Sequence, residues 1–413
     1  MTKKNSEQTK VPRSKEKRDA VTPSAAPHGA PACETVSAGK SPHDAVPSIT
    51  VSQKATPALR PVDEAPRAIN RGLAASLSTK ALKNSIWVCA LLMANRFRVI
   101  RTIDIAACCF AERPYKAALT AAQRAVRGLV KVEFLLRYRS DRFQTIYGLS
   151  KRGVDWLDDA GHEASSSVRR VSDMTNPEHR LWSQFWVLAC EARGLKAMTE
   201  QELLRHLNRD TKLGQPLIQG LLTVTSTLGG KKRTLQLRPD AVSIESGETT
   251  WLEVDRSKRG SDREASLAAL ASSVGRTLID GNRLGRLVIF CKTERILKRA
   301  IAVINGLGKA SDNSVLLPGR RQFLSVAPGQ YAVWSAIETK LTDGRTELVD
   351  TMIGHIHIQL LPIWLPKVRI DSSNTHSTAG WFSEDYLPYK KAPGEPKWPP
   401  LISPLIAMND VKG

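Results

Sequence analysis

The chain has 413 residues, of which 41% are hydrophobic, and it carries a formal net charge of +21 at pH 7. This length allows two or more domains, and the hydrophobic content excludes a wholly disordered chain. A basic excess of this size favours an anionic polymer as the partner, which is either a nucleic acid or an acidic membrane surface.

Residues 1–75 are rich in Ser, Thr, Pro, Ala, Lys and Glu and contain no aromatic residue. Such a segment buries too little apolar surface to offset the entropy that it would lose on ordering, so we predict a disordered basic arm. The arm is either a linker or a tail that adds non-specific affinity for DNA.

Residues 79–165 show three helical patterns, a hairpin pattern and a further short helix, in that order. The first helix is predicted at 79–99, the second over "RTIDIAACCFA" with Thr102 as its N-cap, and the third over "ERPYKAALTAAQRAVRGLVK", closed by Gly128. Two strand patterns, "VEFLLRY" and "FQTIYGL", flank the polar turn "RSDR". Three helices and a hairpin in this order predict a winged helix-turn-helix.

The third helix and the hairpin carry the residues that we expect to contact DNA. In a winged helix-turn-helix, the second helix of the pair enters the major groove and the hairpin rests on the backbone or in the minor groove. The candidates are Arg113, Lys116, Gln123, Arg124 and Arg127 on the helix, and Arg137, Arg139 and Arg142 around the hairpin tip. A winged helix that binds protein is the alternative, but the net charge favours double-stranded DNA.

A second domain is predicted from 176 to 345, after a Ser-rich charged linker. It opens with a helix in which Asn176 and Pro177 suit the cap and the first turn. Strands over "RTLQLRPDAVSI" and "TTWLEVDRS" flank the turn "ESGE". Around them we predict a strand and a helix in "KAMTEQELLRHL", a helix at 262–280, a strand at 286–292 and a helix over "ERILKRAIAVINGL". This alternation indicates an α/β layered core.

Beyond residue 310 the patterns predict a strand at "RQFLSVA" and a helix near "QYAVWSAIETKL". His355 and His357 share one face of a strand, a spacing that can bind metal, but a half-buried strand is the better interpretation. Residues 346–413 form a C-terminal extension whose role stays open. Its aromatic residues favour a segment that wraps the domain over a platform for single-stranded bases.

Three carboxylates, Asp240, Glu253 and Asp255, form the candidate catalytic and metal site. Glu253 and Asp255 alternate onto one strand face, and pairing through the "ESGE" turn brings Asp240 alongside them. Such a cluster repels itself unless a cation lies within it, and Mg²⁺ takes carboxylate and water ligands. Bound there, Mg²⁺ would activate water for phosphodiester hydrolysis. Structural ion pairs with Arg238 and with the basic residues after Asp255 are the alternative.

Pro239-Asp240 followed by Glu253-Val254-Asp255 resembles the PD-(D/E)xK nuclease superfamily. A winged helix, a helix that begins Asn-Pro-Glu-His, and then "RPD…LEVDRS" resembles, more narrowly, the replication-relaxation family of bacterial and plasmid-associated proteins. The resemblance covers residues 79–295 and implies a restriction-endonuclease-like α/β/α core. It also implies a role in plasmid or mobile-element replication or mobilisation, with a Mg²⁺-dependent endonuclease activity and a relaxase or replication initiator as a partner.

Under this resemblance, Asp240 and Glu253 are metal ligands, and Asp255 stands where the superfamily has its lysine. That lysine positions the attacking water or stabilises charge on the phosphate, and Lys258 is the first candidate to replace it. Lys231, Lys232 and Arg238 are further candidates for the cation, and Glu200 or Glu202 for an additional acid. Without such a cation, we expect a non-catalytic DNA-binding accessory protein or a transcriptional regulator with an inactive nuclease fold. A nuclease of phage defence is a third, weaker hypothesis.

The cellular compartment follows from the cysteines and from the apolar content. Six cysteines are scattered through the chain, and none stands in the CxxC spacing of a zinc or redox site. No window approaches the ~20 apolar residues that span a bilayer. Nor do the first residues show the apolar core of a secretion signal, so we expect a cytoplasmic protein with reduced thiols and no membrane contact. The oligomeric state is left open by the sequence.

Overall fold

A computed structural model of the chain describes residues 78–111, 113–139, 145–164, 177–228, 231–255, 260–310, 320–340, 345–361 and 386–401. These residues form eight helices, a seven-stranded mixed sheet and two two-stranded sheets, so the predicted α/β class is confirmed. The predicted arm at 1–75, residues 165–175 of the predicted linker, and Arg142, Asn176 and Lys258 lie outside the described residues. None of the described helices has the length and apolar content needed to cross a bilayer.

The first described elements follow the predicted order of three helices, a hairpin and a helix. They are α1 (Thr79–Phe97), α2 (Thr102–Phe110), α3 (Tyr115–Lys131), β1 (Leu135–Arg139), β2 (Thr145–Leu149) and α4 (Lys151–Asp159). Side chains of Ser78 and Ser150 accept hydrogen bonds from backbone amides in the first turns of α1 and α4. A buried stripe on α3, made of Tyr115, Ala118, Ala122, Val126 and Leu129, packs this helix against the others.

Two predicted details of these helices are wrong. The N-cap of α2 is Arg101 rather than Thr102, because the Asp104 carboxylate accepts from Arg101 N at 2.8 Å and from the Arg101 guanidinium at 2.7 Å. The third helix does not close at Gly128 but continues to Lys131. A Cβ at position 128 would lie 3.1 Å from the indole of Trp87 on α1. The absence of a side chain at Gly128 therefore lets α1 pack closely against α3.

The remaining elements build the large sheet and the helices that cover it. In chain order they are α5 (Glu178–Glu191), β3 (Lys196–Thr199), α6 (Glu200–Leu207), β4 (Leu222–Leu228), β5 (Lys231–Leu237), β6 (Ala241–Glu245), β7 (Glu248–Asp255), α7 (Ser261–Ala271), β8 (Arg283–Cys291), α8 (Glu294–Ala310), β9 (Gln322–Ala327), β10 (Gln330–Lys340) and β11 (Thr346–Leu360). The order across the sheet is β3-β6-β7-β8-β11-β10-β9. Strands β7, β8 and β11 run parallel, and the other neighbours run antiparallel.

Apolar side chains cover both faces of the sheet. Leu252 and Phe290 belong to one core cluster together with residues of α5 and the N-terminal helices. Trp251 and Ile289, their neighbours along the same strands, belong to a second cluster with residues of α7 and α8. Strand side chains alternate between faces, so this division places helices on both sides of the sheet.

The segment predicted as one strand over "RTLQLRPDAVSI" is two strands. Strand β5 ends at Leu237 and pairs with β4, whereas β6 begins at Ala241 in the large sheet. Arg238, Pro239 and Asp240 connect them. Because proline lacks an N–H for the ladder, the break falls where Pro239 stands. The prediction of one strand that carries both Arg238 and Asp240 is therefore wrong.

The helix predicted near "QYAVWSAIETKL" is strand β10. A turn at Pro328–Gly329, with Gly329 at φ +74°, connects it to β9. Strand β10 then pairs with β9 on one side and β11 on the other, so long-range pairing overrides the helix preference of its Ala, Glu and Lys residues. The helix predicted at 262–280 likewise ends earlier, at Ala271.

Strand β11 lies inside the sheet, between β8 and β10. Residues 346–360, which the sequence assigns to the C-terminal extension, therefore complete the same sheet as residues 196–340. His355 and His357 lie on this strand, and the predicted strand is confirmed. Burial, together with the charge of Arg286, lowers the pKa of His357 to about 3, although the charge of Glu395 opposes this shift.

Residues 386–401 pack on the sheet face that carries α5. The Tyr389 ring stacks on Trp186 with centroids 5.6 Å apart, and Trp398 Nε1 donates to the Tyr389 carbonyl at 3.1 Å. Glu395 accepts from Arg286 at 2.7 Å and lies 3.6 Å from His357 Nε2. Trp381 and Phe382, further aromatic residues of this tail, lie outside the described residues.

A half-buried arginine joins the N-terminal helices to the sheet domain. Arg96 of α1 donates to Glu191 at the end of α5 at 2.8 Å and to Glu202 in α6 at 2.5 Å. Burial by itself would lower the pKa of Arg96, but the hydrogen bonds and charges of both glutamates outweigh it and raise that pKa. Glu202 also accepts from the amide of Thr199 at 2.9 Å, which caps α6.

Replacing Arg96 with methionine removes a guanidinium that neutralises two glutamates. We expect Arg96→Met to lower the free energy of unfolding by about 2–4 kcal/mol, because Glu191 and Glu202 lose their shared partner. Urea denaturation at pH 7 measures the loss. Arg152→Met is the matched control, since Arg152 and its partner Glu133 are 64% and 75% exposed, and we expect it to cost less than about 1 kcal/mol. Equal losses in the two variants would contradict the role of Arg96.

Candidate functional site

A cavity of about 320 Å³ opens between β7, α7 and the start of α5, and all three predicted carboxylates line it. Its polar lining residues are His179, Arg238, Asp240, Glu253, Asp255, Arg263 and Ser266, and its apolar lining residues are Leu237, Trp251, Val254, Leu267 and Leu270. The sequence therefore brings Asp240, Glu253 and Asp255 to one place, as predicted. This volume lies at the lower end of the range for small-molecule pockets.

Both carboxylate oxygens of Asp240 are engaged. Oδ2 accepts from the Val254 amide on the neighbouring strand at 2.6 Å. Oδ1 lies 2.9 Å from Nε2 of His179, which projects from the first turn of α5. The backbone of Asp240 continues the pairing of β6 with β7, because its own amide donates to the Leu252 carbonyl at 3.0 Å. These contacts fix the plane of the carboxylate at the cavity wall.

Glu253 and Asp255 project from the same face of β7, as the alternation predicts. Glu253 accepts a hydrogen bond from the indole Nε1 of Trp251 at 3.2 Å. Asp255 is only 4% exposed, and it ends the strand where the Lys292 amide donates to its carbonyl at 3.0 Å. The carboxylate of Asp255 therefore lies deeper than the position expected of a solvated surface acid.

The cations around the cavity differ from those that the sequence favours. Lys258 lies outside the described residues, as do the side chains of Lys231 and Lys232. Arg238 lines the cavity and pairs with Glu200 at 3.3 Å. Glu202, the other candidate for an additional acid, binds Arg96 and is not among the residues that line the cavity.

Sequence reasoning misses two residues of the cavity, His179 and Arg263. His179 stands two residues after Pro177 at the start of a helix that covers the sheet, and only the long-range packing of α5 reveals that it meets Asp240. Arg263 stands in the first turn of α7, which follows β7. The helix predicted at 262–280 already places Arg263 in a first turn eight residues after Asp255, and this proximity in sequence is the signal that could have identified it.

The hypothesis of a metal site is supported by the type of donor atom at the cavity, which is carboxylate oxygen, and not by a complete set of ligands. Carboxylate oxygens are the donors that Mg²⁺ prefers. In the part of the chain that the structure describes, however, no group of three or more His, Cys, Asp and Glu side chains is arranged to hold a metal ion. The predicted set of Asp240, Glu253 and Asp255 is therefore not arranged as a three-ligand metal site.

The predicted DNA contacts of α3 lie on its solvent face. Lys116, Gln123, Arg124 and Arg127 are exposed, and α3 contains no Asp or Glu at any position. Arg127 donates from Nε to the Gln123 carbonyl at 3.2 Å. The prediction that Arg113 lies on this helix is wrong, because α3 begins at Tyr115; the half-buried guanidinium of Arg113 lies 4.7 Å from the ring centroid of Phe110. The exposed face of α3 is thus cationic along its length.

The hairpin adds two exposed arginines. Arg137 and Arg139 are two residues apart on β1, so they project from the same side of the hairpin. Arg137 pairs with Tyr147 and Arg139 with Thr145 across the ladder. Arg142, the third candidate at this tip, lies outside the described residues.

Comparisons with protein-family models, with curated proteins and with solved structures found no match to this chain. The function is therefore argued from the chemistry of the two sites.

We expect His179 and Asp240 to be energetically coupled, because the imidazole and the carboxylate lie in direct contact. A double-mutant cycle of His179→Ala and Asp240→Ala, followed by urea denaturation at pH 7, should give an interaction free energy of about 0.5–2 kcal/mol. His206 is exposed and provides the control. We expect His206→Ala and Asp240→Ala to be additive, and additivity of the His179 pair as well would show that the contact does not position Asp240.

Proposed function

We propose that this chain binds double-stranded DNA through a winged helix-turn-helix formed by α1–α4 and the β1–β2 hairpin. The observation that carries the proposal is the solvent face of α3, which presents cations and no carboxylate. The order of helices and hairpin supports it, because this motif places one helix in the major groove and the hairpin beside it.

The residues of α3 divide by chemistry into two roles. Lys116, Arg124 and Arg127 suit phosphate oxygens, which give affinity and register without reading sequence. Gln123 suits a base edge, since an amide can pair with the donor and acceptor that adenine shows in the major groove. Arg137 and Arg139 would place the hairpin against the backbone.

Removing two cations from α3 should weaken DNA binding and flatten its salt dependence. We expect Arg124→Ala/Arg127→Ala to reduce affinity for a DNA duplex by about tenfold or more, and to reduce the slope of log K against log salt by roughly 2. Fluorescence anisotropy over a salt series measures both quantities. Arg209→Ala/Lys212→Ala removes the same charge from an exposed loop and should change neither quantity appreciably. Similar losses in the two double variants would mean that α3 is not the interface.

A second candidate function, Mg²⁺-dependent hydrolysis of a phosphodiester, is favoured by the convergence of Asp240 and Glu253 on one cavity. The chain order α5, β3, α6, β4, β5, β6, β7, α7, β8 also supports it, because it contains the helix, strands, helix and strand on which the resemblance rests. In this order β6 is antiparallel to β7, and β7 is parallel to β8. A mixed sheet with helices on both sides suits the α/β/α core that the resemblance to PD-(D/E)xK nucleases implies.

The residues that line the cavity would have different roles in such a reaction. Mg²⁺ bound there would activate water and offset charge on the scissile phosphate. Asp240, held by His179 and Val254, and Glu253, held by Trp251, present oriented oxygens to the cavity. Arg263 lines the same cavity and offers a cation to the phosphate, a role that Asp255 cannot fill.

Incubation of supercoiled plasmid with the purified chain and Mg²⁺ tests this second function. We expect nicking by the wild type and a loss of about a hundredfold or more in Asp240→Asn, because that change removes charge at the cavity. Glu248→Gln is the control, since Glu248 pairs with Arg283 away from the cavity. Absence of nicking by the wild type, or equal nicking by Asp240→Asn, would leave the non-catalytic DNA-binding function.

The resemblance to the replication-relaxation family suggests the setting. We propose a role in plasmid or mobile-element replication or mobilisation, in which the chain recruits or assists a relaxase or a replication initiator. If the cavity performs no hydrolysis, the same DNA contacts suit an accessory protein or a transcriptional regulator.

A further inference from the structure

A hydrolytic cavity needs a group that takes a proton from the attacking water. The described residues that line this cavity include no lysine, and Lys258 lies outside the described residues. Arg238 and Arg263 line the cavity, but a guanidinium keeps its protons and has no lone pair with which to accept another. Within the described lining, the base is therefore one of the three carboxylates or His179.

The three carboxylates are poorly placed for this task. One oxygen of Asp240 accepts from the Val254 amide at 2.6 Å, and the other lies 2.9 Å from Nε2 of His179. An oxygen that already accepts a hydrogen bond is less available to take a proton from water. Glu253 accepts from the indole of Trp251, and Asp255 is 4% exposed, so water has little access to it.

His179 uses only one of its two ring nitrogens in the contact with Asp240. That contact involves Nε2 and leaves Nδ1 outside it, and the side chain is 36% exposed and lines the cavity. A neutral imidazole carries its proton on one nitrogen and a lone pair on the other. Because an ionised carboxylate only accepts hydrogen bonds, Asp240 favours the proton on Nε2 and so leaves the lone pair on Nδ1.

The groups beside His179 suit a phosphate. Two helices begin at the cavity, since His179 belongs to the first turn of α5 and Arg263 to the first turn of α7. Backbone N–H groups at the start of a helix favour an anion nearby. Arg238 and Arg263 add guanidinium donors that match phosphate oxygens. A phosphodiester bound by these groups would lie next to the imidazole.

We propose that His179, oriented by Asp240, is the general base of phosphodiester hydrolysis at this cavity. This role rests on the proposed hydrolytic function. Nδ1 takes a proton from a water molecule, and the oxygen of that water forms a bond to phosphorus. The bond from phosphorus to the leaving sugar oxygen breaks, its electron pair goes to that oxygen, and the oxygen takes a proton from solvent. Nδ1 then returns its proton to solvent. The imidazole thus activates water at a site where Asp255 stands in the position of the lysine.

Replacing His179 with glutamine removes the base and keeps a donor for Asp240. The amide nitrogen of glutamine can still donate to the carboxylate, but the amide does not accept a proton from water. We expect His179→Gln and His179→Ala to lower kcat for Mg²⁺-dependent nicking of supercoiled plasmid by about a hundredfold or more, with a much smaller change in KM. His206→Ala is the control, because His206 is exposed on α6, and this variant should nick as wild type does.

The pH dependence separates a base from a residue that only holds Asp240 in place. The wild-type rate should fall between about pH 8 and pH 5, because an imidazolium has no lone pair for a proton. This fall should be reduced or absent in His179→Gln. The other charged groups of the cavity remain in that variant, so the difference between the two profiles belongs to His179. They are Arg238, Asp240, Glu253, Asp255 and Arg263.

Free imidazole tests the same role by replacing the missing side chain. Added to His179→Ala, it should raise the nicking rate by about tenfold or more, because it supplies a base to the vacated space. It should have little effect on His179→Gln, whose side chain fills that space. Thermal unfolding of both variants checks that the fold is intact.

The outcomes distinguish the base from the hydrolytic function itself. A wild type that does not nick would overturn both. His179→Gln that nicks at the wild-type rate, or that keeps the wild-type pH dependence, would overturn the role of His179 and leave the hydrolytic function. A His179→Ala chain that imidazole does not accelerate would do the same.

Discussion

The Arg96 guanidinium holds the N-terminal helices, α5 and α6 together. It donates to Glu191 at the end of α5 and to Glu202 in the first turn of α6. Two glutamates this near to each other would repel, and the arginine removes that repulsion. The amide of Glu200, the first residue of α6, donates to the Asp240 carbonyl at 3.4 Å. The ion pairs of Arg96, together with this backbone hydrogen bond, thus connect the helices of the proposed DNA interface to the chain segment that carries the cavity carboxylate.

The two proposed sites make different demands on the fold. Exposed cations suffice for contact with phosphates. The solvent face of α3 carries such cations and has no Asp or Glu. A hydrolytic cavity requires carboxylates that are oriented before the substrate arrives. His179 and Val254 orient the carboxylate of Asp240 in this way. Asp255, in contrast, occupies the position where the resemblance expects a lysine. The cavity therefore has one firmly oriented carboxylate, Asp240, and an aspartate where the resemblance expects the lysine.

Local sequence signals predicted the elements that depend on neighbouring residues. The turn at "ESGE" is marked by Gly247, which adopts φ +79°, and strand alternation placed Glu253 and Asp255 on one face. Local sequence signals gave wrong or no predictions where the structure depends on residues distant in the sequence. Strand β10 has a helix-favouring composition and becomes a strand because β9 and β11 flank it. No local pattern shows that His179 meets Asp240 across 61 positions, because that contact requires α5 to pack on the sheet.

Hydrogen–deuterium exchange in Arg96→Met tests most directly whether Arg96 braces the cavity. Arg96 does not touch the amides of Asp240 and Val254, which are held by Leu252 and by the Asp240 carboxylate. If the network transmits stability, both amides exchange faster in Arg96→Met than in wild type, together with those of α1 and α6. Faster exchange confined to α1, with the amides of Asp240 and Val254 as protected as in wild type, would contradict this account.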